Sequence, residues 1–384
     1  MNRRRKLPAA IIAGCAVLAL TTACSSSGAA STSSTDAASA GSSGAGAGLA
    51  AASSFLAKYE ANPTSIGLDQ KLSAPVPAGK AFIALTAPLE TAQQLSKALD
   101  AASKQLGWSY TSIGTGNTAA SAVSAFEAAI AKAPYAIAFS GFPASEFTKQ
   151  IDEAKAAGIV VVSDNTGDGS VPGVLADLSG ADQWSLYGQI AAAYFVTKSE
   201  GKGSAAVFTL NAYPVLADFA ASFQKAAQEW CPSCSVEIVN QQPADLGVKT
   251  PTNVIAYLQQ HPDTKWAVFA NGGVATGVSA AITAAGMNDV TIVGAVPTAA
   301  NLAGVQAGTE AAWVGYTTDI LGWRELDLLA RNATKDDATS AAAVSLPTQV
   351  ITKDNISTIV ANGGIYVGVD GYQNQFTKLW GSGS

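Results

Sequence analysis

One pattern occurs twice along this chain: short, continuous apolar runs bounded by turn residues, separated by longer segments of helical period. In the first stretch the apolar runs fall at 81–85, 108–112, 135–139, 160–163 and 173–176. Between the first two, Leu95, Leu99, Ala102 and Leu106 share one face of a helix. The second stretch has runs at 204–210, 235–240, 266–270, 291–295 and 312–317, with helical segments over 217–229, 251–260, 274–285 and 298–306. Strands that are apolar throughout and alternate with helices belong to parallel sheets covered on both faces. The chain is therefore expected to be α/β, with two Rossmann-like doubly wound parallel-sheet lobes in tandem. Open sheets of that kind bind ligands at the carboxyl ends of their strands.

The N-terminus reads as an export signal. Arg3, Arg4, Arg5 and Lys6 precede a short apolar run, and small residues lead to Cys24. The run falls short of the about 20 residues a membrane-spanning helix needs. Leu20, Thr21, Thr22, Ala23 and Cys24 resemble a lipobox, with the leucine one position early. That resemblance implies a signal peptide over 1–23 and a lipid on Cys24, with simple cleavage as the alternative. From Cys24 to Ala50, 24 of 27 residues are Ser, Ala, Gly or Thr, which predicts a disordered tether over 24–50. A connector with a short helix, about 52–60, is expected over 51–79.

Removing residues 1–23 takes away four basic residues and leaves 18 Lys and Arg against 28 Asp and Glu, a net charge of about −10. Such a balance, with no basic stripe, excludes nucleic acid as a partner. The remaining 361 residues suit two domains at roughly 100–200 residues each. Cys15 lies in the leader, and Cys231 and Cys234 form CPSC. Outside the membrane that pair is expected to close a structural disulfide, with a redox or metal role as the alternative.

Searches for catalytic and cofactor motifs give little. Gly114, Gly116 and Ala119 fit a loose G-x-G-x-x-A pattern after the second strand instead of the first, and read as a turn in which Asn117 caps the next helix. The acidic loop from Asp164 to Gly169 lacks the final glutamate of a calcium loop. His261, the single histidine, sits in a turn, and no serine-nucleophile elbow is present. No enzyme activity, metal or cofactor is expected. What recurs is a polar or aromatic residue just past a strand end: Thr86 to Thr91, Ser140 and Phe142, Asp164 and Asn165 in the first half; Asn211 and Tyr213, Asn271, and Val296 in the second. Strand termini favour such residues anyway, but as a set they outline a binding site.

The segments FIALTAPLETAQQLSKALDAASKQLGW, YAIAFSGFP with EAKAAGIVVVSDN, and HPDTKWAVFANGGVATGVSAAITAAG with VTIVGAVPT resemble, in order, the type I periplasmic binding proteins of the ribose and sugar branch. The resemblance covers about 80–376. It implies two lobes joined by a three-crossing hinge near 178–182, 316–319 and 344–348. The lobes would be 80–180 with 317–345, and 181–316 with 346–384. It also implies a monomer that captures a small molecule and delivers it to an ABC permease from the extracytoplasmic face, lipid-anchored. A lipoprotein that presents its ligand to a receptor kinase is the alternative. An enzyme on this scaffold and a DNA-binding regulator are further readings, the latter opposed by the export signal.

The sequence departs from the sugar-binding pattern at four places. Asn165 follows Asp164 where an arginine is usual, Phe219 stands where another arginine is common, Val296 lies near a usual aspartate, and Thr91 and Ala92 fall where aromatics are common. An unpaired buried hydroxyl costs about 1–3 kcal/mol. The ligand is therefore expected to be small and mostly neutral, either sugar-like or a cyclic or aromatic compound less hydroxylated than a pentose or hexose. Phe142, Trp184, Tyr213, Phe219 and Tyr316 would supply ring faces, and Thr86, Glu90, Thr91, Ser140, Asp164, Asn165, Asn211, Asn271 and Val296 would complete the site.

Overall fold

The computed structural model describes residues 37–116, 118–359, 361–362 and 364–381. The leader, Cys24 and the tether as far as residue 36 lie outside these. The chain divides into a unit that ends at Gly41 and a compact unit from Ser42 onward, which holds two large sheets and a two-stranded antiparallel one.

The first sheet contains β1 (Ala81–Thr86), β2 (Ser109–Gly114), β3 (Ala136–Ser140), β4 (Val160–Asp164) and β5 (Val174–Leu178), all parallel, in the order β2-β1-β3-β4-β5. Helices α2 (Glu90–Gln105), α3 (Ala119–Ile130) and α4 (Thr148–Ala156) connect its strands. The second sheet contains β6 (Ser204–Thr209), β7 (Ser235–Asn240), β8 (Thr264–Phe269), β9 (Thr291–Ala295) and β10 (Ala312–Val314), parallel, with β11 (Val350–Thr352) added antiparallel at one edge. Helices α5 (Ala181–Lys198), α6 (Pro214–Trp230), α7 (Thr250–Gln260), α8 (Val278–Ala284) and α9 (Ala299–Ala307) accompany it. This is the doubly wound α/β architecture expected from the alternating pattern.

Central strands are buried on both faces: Phe82, Ala136, Ile137, Val162, Ala206, Val207, Phe208 and Val268 are each at most 0% exposed. At about 25 cal/mol per Å² of apolar surface, burial of this kind dominates stability. Helix α5 is apolar nearly all round because α6 covers it closely. A Cβ on Gly188 would overlap the Phe219 carbonyl oxygen, so only glycine permits this approach.

Three local expectations are corrected. The first helix, α1 (Ala37–Leu56), starts well before the expected position near residue 52. Alanine is the strongest helix former, and Ala52 and Leu56, both buried against the body, anchor that helix. The cap of α3 is Thr118, whose hydroxyl accepts from the Ser121 N–H; Asn117 lies outside the described residues. The helix expected over 274–285 begins only at Val278, after a run of turns.

The long helix α10 (Thr318–Thr334) packs on α2, and α11 (Ala338–Ala342) and α12 (Tyr372–Leu379) follow. Arg324 on α10 is wholly buried and donates to the carbonyls of Ile66 (2.6 Å), Ala341 (3.2 Å) and Val344 (2.8 Å). Arg331 pairs with Asp327 at 2.7 Å and also donates to the Gln70 carbonyl. A single helix thus ties down the connector that precedes β1. Cys231 and Cys234 form a disulfide just where α6 hands over to β7.

Candidate functional site

Three segments carry the chain between the sheets, and they are laced together. Gln183 accepts from the Leu346 N–H at 2.7 Å, the Thr317 hydroxyl donates to the Pro347 carbonyl at 3.2 Å, and the Thr348 hydroxyl donates to the Gly315 carbonyl at 2.6 Å. Beside this hinge the carboxyl ends of β1, β3 and β4 bring Thr86, Ser140 and Asp164 together. Ser140 donates to Asp164 at 2.6 Å.

Asn165 turns the chain out of β4 with φ +54°, a left-handed conformation that asparagine tolerates. Its amide nitrogen donates to Asp164 (2.5 Å) and to the Tyr316 hydroxyl (2.9 Å). Its carbonyl oxygen accepts from the Trp184 indole (3.0 Å) and lies 3.1 Å from the Tyr316 hydroxyl. Trp184 and Tyr316 lie with ring centroids 6.3 Å apart. One side chain from the first sheet is thereby gripped by an aromatic from α5 and another from just past β10.

The loop that follows reaches the opposite edge. A Cβ on Gly167, whose φ is +75°, would meet Pro214 at 3.1 Å, Val215 at 3.3 Å and Asp218 at 3.4 Å. The carboxyl edges of the two sheets therefore come together at this point.

The site is strongly acidic. Burial pushes Asp164 up to about 7 against the pull of its Ser140 and Asn165 hydrogen bonds, with Asp177 adding to the rise. Glu325 on α10, wholly buried, is raised well above the ordinary range by burial and by the charge of Asp164. Asp177 is likewise raised by burial, and its carboxylate accepts from Ser163 (2.9 Å) and from the Gly167 N–H (3.2 Å). Glu325 and Asp177 were missed in the sequence. An acid one helical turn from Leu321 and next to Leu326, on an apolar stripe, was the signal for Glu325.

Other expected site residues are placed differently. Phe142 is half-buried and packs edge-on to Phe147 (6.4 Å) over the α3 and α4 side of the first sheet. Phe219 is fully buried and stacked on Phe223 (6.5 Å) in the core under α5. The Phe219 ring is spent on packing, which corrects its assignment as a ligand face, whereas Phe142 keeps part of its surface exposed. Asn271 accepts from the Gly273 N–H at 2.7 Å and so shapes its own turn. Glu90 and Asn211 are exposed, and Thr91 and Tyr213 half-buried. Val296 is buried with φ +53°. A separate open groove of ≈ 660 Å³ between α8 and α9 is lined mainly by small residues and lies away from this site.

Two doubly wound lobes that share a three-strand hinge, with polar and aromatic side chains gathered where their sheet edges meet, define a cleft-type solute-binding scaffold. The periplasmic binding protein domain matches residues 81–337, and the chain belongs to that family. No curated protein matches the sequence. Among solved structures it is similar to an arabinose-binding protein from Geobacillus stearothermophilus, at 20% identity and TM-score 0.62 over 74% of this chain and 100% of that one. It is also similar to an ABC transporter solute-binding protein from Agrobacterium vitis with bound α-D-tagatopyranose (19%, TM-score 0.65, 75% and 99%). A periplasmic ribose ABC transporter protein from Conexibacter woesei is a third (17%, TM-score 0.64, 74% and 96%). The family is extracytoplasmic, and among the described residues no helix is long and apolar enough to cross a membrane.

Proposed function

We propose that this chain captures a small ring-shaped solute between the facing edges of its two sheets and delivers it to an ABC import permease. It would work as a monomer at the extracytoplasmic face, held there by a lipid on Cys24, and make or break no bond in its solute. The observation that carries this reading is the Asn165 junction with Trp184 and Tyr316. A ligand that touches the junction and the first turn of α6 favours the closed arrangement over the open one, which is all that hinge closure requires. Thr86, Ser140, Asp164 and Asn165 would orient polar groups, Trp184 and Tyr316 would supply ring faces, and Asn211 and Tyr213 would contribute from the other lobe. The sugars named for the similar structures support a polyhydroxylated or ring-shaped solute.

The test is mass spectrometry of whatever copurifies with the protein, joined to calorimetry with arabinose, ribose, tagatose and their amino relatives. A bound solute whose affinity falls at least about tenfold in Trp184→Ala supports the reading. An empty protein that binds nothing in the series would overturn it.

A further inference from the structure

Under the carboxyl ends of β1, β3 and β4 lies a pit of ≈ 20 Å³, lined by Thr86, Ser96, Ser140, Asp164, Glu325 and apolar side chains such as Leu95. That is room for about one water-sized group. Every polar side chain in the lining is a carboxylate or a hydroxyl, and the hydroxyls are already engaged. Ser140 donates to Asp164, Ser96 is paired with the Tyr110 hydroxyl at 2.8 Å, and Thr86 accepts from Ser112 at 2.8 Å. Both carboxylate oxygens of Glu325 are buried without a hydrogen-bond partner.

Positive charge nearby is committed elsewhere. Arg324, next to Glu325 in sequence, spends both terminal nitrogens of its guanidinium on three backbone carbonyls, and Arg331 is paired with Asp327. The surroundings add negative groups instead. Asp177 bears on Asp164 from β5, and within the second lobe Asp182 on α5 bears on Asp218 on α6. No ion pair among the described residues involves Asp164, Asp177, Asp218 or Glu325.

We propose that this pit receives a primary ammonium group of the captured solute, seated between Glu325 and Asp164. The inference rests on the solute-capture reading and names the ligand's chemistry: a small amine, such as an amino sugar, in place of the mostly neutral solute expected from sequence. A single heavy atom that carries three N–H donors and a positive charge fills a one-atom space with unpaired acceptors and two acids. An alcohol brings one donor and no charge. An anion brings no donor and no positive charge to these acceptors. When the ammonium enters, the acid pair gives up a proton to solvent, so that binding and proton release are linked.

The experiment is calorimetry of glucosamine against glucose, galactosamine against galactose and ethanolamine against ethylene glycol, in buffers of different ionisation enthalpy. In the wild type the amines are expected to bind at least about tenfold tighter than their hydroxyl counterparts, with proton release. Glu325→Gln keeps the shape of the side chain and should level the two affinities and abolish the proton release. Removing a buried acid leaves no unpaired charge, so the variant should fold, and its melting curve checks this. Asp164→Asn provides a second reading of the same effect. Equal or tighter binding of the hydroxyl compounds, an amine preference that survives Glu325→Gln, or a copurified solute without nitrogen would each overturn the inference while solute capture stands. Failure of every compound together with an empty protein would overturn both.

Discussion

Asn165 and Val296 stand one residue past β4 and β9, the corresponding strands of the two sheets, and both adopt a left-handed backbone, with φ of +54° and +53°. For asparagine this costs little; for a β-branched residue it is a genuine outlier. Val296 is held there by its surroundings: its N–H donates to the Val314 carbonyl at 3.0 Å and its own carbonyl accepts from Gly272 at 3.1 Å. Each lobe therefore kinks its chain at the same place on its carboxyl edge, where the edges face one another.

At Asn165 the kink and the hydrogen bonds can be separated. Asn165→Gly keeps the backbone free to take φ +54° but removes the acceptor for the Trp184 indole, and should cost about 1–3 kcal/mol. Asn165→Ala adds the penalty of a side chain in the left-handed region, about 1 kcal/mol more. Urea denaturation measures both, and values within about 0.5 kcal/mol of wild type would mean that the junction contributes nothing to the free protein.

The buried acids make stability depend on pH in a set direction. Asp164 is raised to about 7 and Glu325 well above the ordinary carboxylate range, so the folded state holds protons that the unfolded state releases. The Asp164 contribution is fully present below the ordinary carboxylate range and is lost as pH rises through about 7, and the Glu325 contribution is lost in the same direction. For Asp164 the rise corresponds to on the order of 4 kcal/mol. Asp164→Asn should therefore match wild type near pH 4 and exceed it above neutrality, read from melting temperatures across the range. A difference that does not change with pH would show that Asp164 is ionised throughout.

Much of this architecture was legible because burial leaves a mark on sequence. The strands at Ser235–Asn240 and Thr291–Ala295 coincide with their apolar runs, and the others shift by a few residues at their ends. The junction was partly legible, since Asp164, Asn165, Trp184 and Tyr316 all come together. Phe219 was misjudged because a ring near a strand end looks alike whether it faces a cleft or a core. Glu325 sits far along the chain from the strands it serves, and only the packing of α10 on α2 reveals the pit. The antiparallel β11 was missed as well, because three residues of ordinary β composition carry no signal without the partner strand.

The disulfide closes only a short turn. Cys231 and Cys234 are three apart, so the chain-entropy stabilisation is about 2 kcal/mol. Both cysteines are buried beside Trp230, which packs on Phe55 of α1 at 5.3 Å. Replacing both with serine should lower the melting temperature by roughly 3–6 °C while ligand affinity stays the same, since the turn lies at the far end of α6 from the cleft. A collapse of binding in that variant would show that the turn reaches the site.

Gly167 tests whether the contact between the two edges is used in closure. Its φ of +75° already favours glycine, and a methyl group would press on Pro214 at 3.1 Å and Val215 at 3.3 Å. These are atoms of a helix start packed into the second lobe and have little room to yield, so Gly167→Ala is strained most where the edges meet. Opening the cleft relieves the contact with α6 but leaves the backbone cost, about 1 kcal/mol, in both states. The variant should therefore lose affinity by about tenfold or more with only a small loss of stability, and small-angle scattering with saturating ligand should show a larger radius of gyration than wild type. Because the backbone term is common to open and closed forms, unchanged affinity would mean that the two edges do not approach each other this closely when solute is bound.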